Sequence, residues 1–449
     1  MSLGQVTRVV CCTSALACAC LGCVCPSNGA ETKEGAPLSL SIRDSVKIAV
    51  GNNPIVQIAR EETNVARGKI IEARSAAYPT LIASGSYTWL ERVPSATFEG
   101  TTFSLGEQGN YLTSVNLAQA LYHGGRTAAG IRAAKFYRTL TGQKLLGTAQ
   151  AIAFSAEKAY YDVLLNGEFY AVSQDALQRA ESHQSDVQKR HAQGLVSDYD
   201  VLRATIEVSN MRAQMIQARN ALNLARTAFL KILALPLTTE FVLTDKLQYE
   251  PAEAKMGHSL AVALIQRPAI KQADLQIAMQ KQSVRATAAD LYPTVSAVGT
   301  WEGGNASRFS FGGTDWDQGW YAGVVVSFPL FEGMRTRGRL TQERAKLRQF
   351  DLQKQDLLLT VELEVKQATL SLEDATEFVE SQKENVKQAE EGLRLANVRY
   401  ANDMATELDV LDARLALTQA RKNYAQAVYN HMLARLSLKK AMGVIPLLE

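Results

Sequence analysis

Arg190-His-Ala-Gln-Gly194-Leu-Val-Ser-Asp-Tyr-Asp200-Val-Leu202 recurs 209 residues later as Arg399-Tyr-Ala-Asn-Asp403-Met-Ala-Thr-Glu-Leu-Asp409-Val-Leu411. Arg, Ala, Asp, Val and Leu return in place, Asp198 is matched by the acid Glu407, and Ser197 by Thr406. Gly194 suits a left-handed helix C-cap, a position that Asp403 fills at some cost. Ser197 and Thr406 are natural N-caps for a returning helix. Each stretch therefore reads as the tip of a helical hairpin. Two tips, one per half, imply an internal duplication, and that decides the fold class.

The rest of the chain repeats around the tips. Asn53-Pro54 and Tyr78-Pro79 are matched 214 residues later by Arg267-Pro268 and Tyr292-Pro293. Helical spacing runs from Leu40 to Val50, and a second helix opens at Pro54 and ends before Pro79. From Leu81 the period changes to two. Leu81, Ala83, Gly85, Tyr87 and Trp89 alternate with Ile82, Ser84, Ser86 and Thr88, which predicts a strand with one apolar face. Residues 93–109 read as a Gly-, Ser- and Thr-rich loop. A second strand carries Tyr111, Thr113, Val115 and Leu117 on one face. In the second half, Val295, Ala297, Gly299 and Trp301, then Trp320, Ala322, Val324, Val326 and Phe328, repeat the pair. Residues 236–258 read as an irregular connector.

After each strand pair comes a proline-free helix. The first runs from about Gly125 to Ala192, about 100 Å at 1.5 Å per residue. The helices after Pro54 and Ser197 add up to about the same length. Two shorter helices can thus lie end to end along one long helix. The strands are about ten residues long, enough to cross a bilayer at a tilt. Four strands cannot close a membrane barrel, so several copies must pool theirs. Tyr87, Trp89, Tyr111, Trp301 and Trp320 fall toward the loop ends, where an aromatic girdle belongs.

The formal charge of +3 in 449 residues is too small to argue for nucleic acid, and there is no basic cluster interleaved with aromatics, so no nucleic-acid partner is expected. All six cysteines lie between Cys11 and Cys25, inside an apolar stretch that reads as an export signal over residues 1–30. Cleavage fits after Ala19 or Ala30, and Cys23 could alternatively carry a lipid. A metal or disulfide cluster is the competing reading of these cysteines. Residues 31–250 and 251–449 then form the two repeats. No cofactor is expected. His123, His183, His191, His258 and His431 show no metal-ligand spacing, and no nucleophile with a base partner or phosphate loop is present, so an enzyme is not expected.

Taken in order, the paired Tyr-Pro entries, the Pro329-Leu-Phe-Glu-Gly333 strand exit and the two tips resemble the TolC family of outer-membrane efflux ducts. The resemblance covers residues 39–443. It implies a mainly α fold with a membrane β-barrel part: a homotrimer whose duplicated strand–long-helix repeats form a twelve-stranded β-barrel and a twelve-helix α-barrel. It also implies outer-membrane lipid around the strands, a periplasmic adaptor protein docked on the tips, and an inner-membrane pump that supplies the cargo.

By that resemblance Gly194, Leu195, Asp403 and Met404 form the adaptor-docking turns, although the family usually carries Gly where Asp403 stands. Asp409 and Asp412, three apart and on one helix face, are the expected constriction, multiplied by symmetry into a carboxylate ring. Asp200 and Tyr400 match residues that hold the closed tip. The arginine expected two positions after Asp403 is replaced by Ala405, which leaves Arg203 or Arg399 as donors. A solvated helix face is the plainer reading of Asp409 and Asp412, and helix packing that of Tyr400. The alternative function is a structural or adhesive coiled-coil surface protein without a channel. It explains the long helices but not the bilayer-length strands.

Overall fold

The computed structural model describes residues 38–93, 95–104, 107–252, 255–309, 316–402 and 404–446. The leader, including Cys23, and Asp403 lie outside the described residues. The chain begins with β1 (Leu38–Leu40), α1 (Ile42–Asn52), α2 (Pro54–Ser75), β2 (Thr80–Trp89), β3 (Ser95–Phe98), β4 (Thr101–Ser104) and β5 (Gly109–His123). It continues through α3 (Arg126–Ala192), α4 (Asp198–Leu233), β6 (Phe241–Leu243), α5 (Met256–Gln266) and α6 (Pro268–Ala288). β7 (Thr294–Gly304), β8 (Asp317–Ser327), α7 (Arg335–Ala401) and α8 (Glu407–Met442) complete it. None of the described helices is long and apolar enough to cross a membrane.

The two halves share one plan. α3 and α7 each hold 67 residues, and α4 and α8 each hold 36. α2 and α4 lie along α3, with α1 touching both, and α6, α5 and α8 lie along α7. This is the end-to-end stacking that the summed lengths require. Asn53 marks one joint: its side-chain oxygen accepts from the Ile55 N–H at 2.9 Å and caps α2, while its amide donates to the Ile232 carbonyl of α4 at 2.9 Å.

β2, β5, β7 and β8 form one antiparallel sheet in that order, leaving β2 and β8 as free edges. Register confirms the period-two reading. Ala83, Val115 and Trp301 stand opposite one another, as do Leu81, Leu117 and Gly299, and Trp301 faces Trp320. The other face aligns Ser84, Ser114 and Glu302, and Thr300 donates to Asn116 Oδ1 at 3.0 Å. One face is thus continuous in apolar and aromatic residues across all four strands, and the opposite face is largely polar.

Two segments differ from the sequence reading. Within 93–109, β3 and β4 form a hairpin about Glu99 and Gly100, both at positive φ (47° and 83°). That is the backbone of a tight primed turn. Within 236–258, β6 pairs in parallel with β1, more than 200 residues away. This pairing closes the main core, where Tyr160, Phe229, Leu233 and Phe241 are buried together. The Tyr160 hydroxyl lies 3.1 Å from the Leu40 carbonyl and 2.9 Å from Asp245 Oδ2, so the connector is pinned to α3.

Candidate functional site

The tips are built by hydrogen-bond bookkeeping at helix ends. At the end of α3 the Leu195 N–H donates to the Arg190 carbonyl (3.0 Å) and the Gly194 N–H to the His191 carbonyl (2.8 Å). This paired closure needs a left-handed residue after the cap, and Gly194 supplies it at φ 72°. At the end of α7 the Met404 N–H donates to the Arg399 carbonyl at 2.8 Å, the counterpart of the Leu195 bond. The Asn402 N–H reaches the same Arg399 carbonyl at 3.2 Å. The second tip therefore closes on the carbonyl that matches the first tip's in the repeat, although Asp stands in place of Gly at position 403.

Each returning helix opens with a capping box. Ser197 Oγ accepts from the Asp200 N–H (3.3 Å), and Asp200 Oδ2 accepts from the Ser197 N–H (3.0 Å). Thr406 and Asp409 repeat the pattern at 3.3 and 2.7 Å. The Ser197 and Thr406 hydroxyls also donate to these carboxylates, at 2.8 and 2.7 Å, and this bond, then the backbone one, holds Asp200 and Asp409 below the usual carboxylate range. Asp200 and Asp409 are thus first of all the acids that start α4 and α8. Asp409 and Asp412 are both exposed on α8, and Leu195 and Met404 are 70% and 64% exposed, a pair of bare apolar tips.

Between the tips lies a cleft of about 390 Å³, and Asp200, Tyr400, Arg190 and Glu407 line it. Asp200 and Tyr400 do come together there. The cation beside Tyr400 is Arg190, its guanidinium 5.1 Å from the ring centroid, whereas Arg203 lies over Tyr199 at 5.7 Å. Neither expected donor, Arg203 or Arg399, is the one that meets the Tyr400 ring. Arg190 ends α3, and hairpin-on-hairpin packing brings it to the other tip.

A buried pair joins the hairpins just inside this cleft. His183 of α3 and Glu407 at the first turn of α8 share a 3.2 Å hydrogen bond, and each side chain is under 10% exposed. Burial, then the charge of Asp200, pushes Glu407 up to about 7. Burial, then Arg414, drives His183 down to about 4. The repeat hid this pair, because the acid matching Glu407 is Asp198, whose side chain is 98% exposed and bonds to His191 instead. Position in the repeat does not say which copy faces the neighbouring hairpin.

Residues 46–235 and 260–444 match the pattern of the outer membrane efflux proteins. The chain belongs to that family. It is an outer-membrane efflux channel, its strands in the outer membrane and its long helices in the periplasm. It is 22% identical to the outer membrane protein TolC of Escherichia coli over 414 residues, covering 88% of this chain and 80% of that protein. It is 24% identical to the outer membrane efflux protein BepC of Brucella suis, covering 91% and 86%. Its fold matches that of CusC with a TM-score of 0.75 at 18% identity, covering 92% of this chain and 95% of that one. It also matches the Campylobacter jejuni CmeC outer membrane channel with a TM-score of 0.77 at 16% identity, covering 90% and 85%. Family membership favours the duct over the adhesive coiled coil, and the family's members are channels rather than enzymes.

Proposed function

We propose that three copies of this chain form a passive duct that receives cargo from an inner-membrane pump through a periplasmic adaptor. The observation that carries the reading is the sheet β2-β5-β7-β8, which has one apolar face and two unpaired edges. Hydrocarbon tolerates no open strand edge, so β8 of one copy must meet β2 of the next. Ile216 and Leu224 on α4 and Leu352, Leu359 and Leu363 on α7 are more than half exposed in one chain. Such apolar helix faces also call for neighbours.

In this duct Gly194, Leu195, Asp403 and Met404 present the adaptor-docking turns. Asp200, Tyr400 and Arg190 hold the tips together, and Asp409 and Asp412 line the narrow end. Carboxylates crowded around a bore repel one another and favour bound cations. Reconstituted channels should therefore select cations and be blocked from the tip side by a trivalent cation. Because Asp409 also caps α8, the informative change is Asp409→Asn with Asp412→Asn, since Asn can still accept the Thr406 bonds. The double variant should lose the block, and single-channel recording with unaltered block would sink the ring.

The His183–Glu407 pair governs how tip opening responds to pH. Packed, the pair holds one proton between about pH 4 and 7, the values to which His183 and Glu407 are shifted. Separated and solvated, at their ordinary values of 6.5 and 4.5, the two still hold one proton over most of that range. Opening then takes up or releases little. Asp186, Arg190, Arg203, Glu207, Arg414 and Asp200 also face the pair.

Replacing His183 by Gln leaves Glu407 to titrate alone. Its raised value stabilises the packed tip below about pH 4.5, and that stabilisation is lost as pH rises through about 7. The variant should open about tenfold less at pH 5 than at pH 8, while the parent changes little. Equal pH dependence in the two channels would show that the pair does not couple to opening.

A further inference from the structure

Inward of the tips, α3, α4 and α8 surround a cavity of about 410 Å³, a size typical of small-molecule sites. Ile206 and Met211 of α4 and Leu411 and Leu415 of α8 give it an apolar wall. Into the same space face Glu207 of α4 and Arg414 of α8. Glu207 Oε2 and Arg414 Nη1 are both buried and neither has a hydrogen-bond partner among the described residues. A half-buried guanidinium and a half-buried carboxyl that share a cavity without pairing leave a gap between them, and buried polar atoms are ordinarily satisfied.

The charge around that gap selects the ligand. Three guanidiniums line the cavity, those of Arg179, Arg203 and Arg414. Arg179 is already paired with Asp175, and Arg203 lies over the Tyr199 ring. Arg414 Nη1 has no hydrogen-bond partner among the described residues. Against it stand Glu207 and the exposed Asp412. Burial raises Glu207, although the charge of Arg414 opposes this. A cationic ligand would meet three guanidiniums there, whereas an anionic one finds the unpartnered Arg414 Nη1 donor.

We propose that this cavity binds a small organic anion, its acidic group between Arg414 and Glu207 and its apolar body against Ile206, Met211, Leu411 and Leu415. A guanidinium–anion hydrogen bond is among the stronger protein contacts. Since α4 belongs to one hairpin and α8 to the other, a bound anion would tie the two hairpins together.

Equilibrium dialysis of naphthalene-2-sulfonate against the assembled full chain in lipid nanodiscs, with empty nanodiscs as the blank, tests the site independently of conductance. Saturable binding is expected, weakened about tenfold or more by Arg414→Met, which removes the charged donor. Glu207→Gln, which puts a neutral amide donor where the carboxyl stands, should bind at least as tightly as the parent. If Arg414→Met does not assemble, Leu411→Trp, which fills the cavity from its wall, should also weaken binding. No saturable binding above the blank would overturn the proposal. So would binding of naphthalen-2-ylmethylammonium as tight as that of the sulfonate, because a cation would then occupy the cavity equally well.

Discussion

Arginine at Val115 should destabilise the assembled channel by about 2–4 kcal/mol, the cost of a basic side chain meeting lipid near the bilayer midplane. Val115 lies in the middle of β5, with Ala83 opposite on one neighbouring strand and Trp301 on the other. Its row is apolar on every strand it meets. Val324, 63% exposed and opposite Ala297, should behave in the same way. Ser114, one residue along β5, stands opposite Ser84 and Glu302 on the polar face. Arginine there, or at Ser327, should be far better tolerated. Thermal dissociation of purified assemblies, read on gels, checks the contrast. Similar losses on both faces would mean that the sheet is turned the other way.

Export should collapse in Gly194→Pro while the barrel still assembles. Two physical effects act on the same residue. Proline fixes φ near −65°, whereas Gly194 sits at 72°, and it removes the N–H that donates to the His191 carbonyl at 2.8 Å. The cost, about 3 kcal/mol, falls on the tip turn and not on the distant strands. Adaptor affinity should fall at least about tenfold. Gly194→Ala is the control, because a Cβ there meets nothing within 4 Å and the added strain is about 1 kcal/mol. Pull-down with the adaptor and an efflux assay on living cells would read both variants. Normal export by the proline variant would remove the docking role from this turn.

What could be read from the sequence is what has a period or a local hydrogen-bond logic. The tips were legible because a Ser or Thr followed three residues later by an acid is a helix start whatever packs on it, and both capping boxes form. The strands were legible because alternation of two survives without knowledge of neighbours, and the register places Ala83, Val115 and Trp301 in one row. The hairpin β3–β4 lies in a stretch whose Gly-, Ser- and Thr-rich composition reads as loop. Its turn, Glu99-Gly100, does carry a signal, since two residues of positive φ between short strands favour glycine. β6 had no signal of comparable strength, being three residues whose partner strand lies at the start of the chain.

The site residues divide along the same line. Asp200 and Asp409, singled out in the sequence, are capping acids in the structure. Arg190, His183 and Glu407 were missed because each acquires its partner only when one hairpin lies against the other. Arg190 reaches Tyr400 and His183 reaches Glu407 from a different half of the chain. A duplicated sequence shows both copies as equal. Packing makes them unequal: Asp198 stays in water while Glu407 is buried.

The central claim is that four strands per chain are completed to a closed barrel by two further copies. Native mass spectrometry of the protein released from detergent tests it most directly. The account predicts a single species of three chains that dissociates only with loss of the strand signal in circular dichroism. A stable, folded single chain in detergent, with its β2 and β8 edges unpaired, would contradict it.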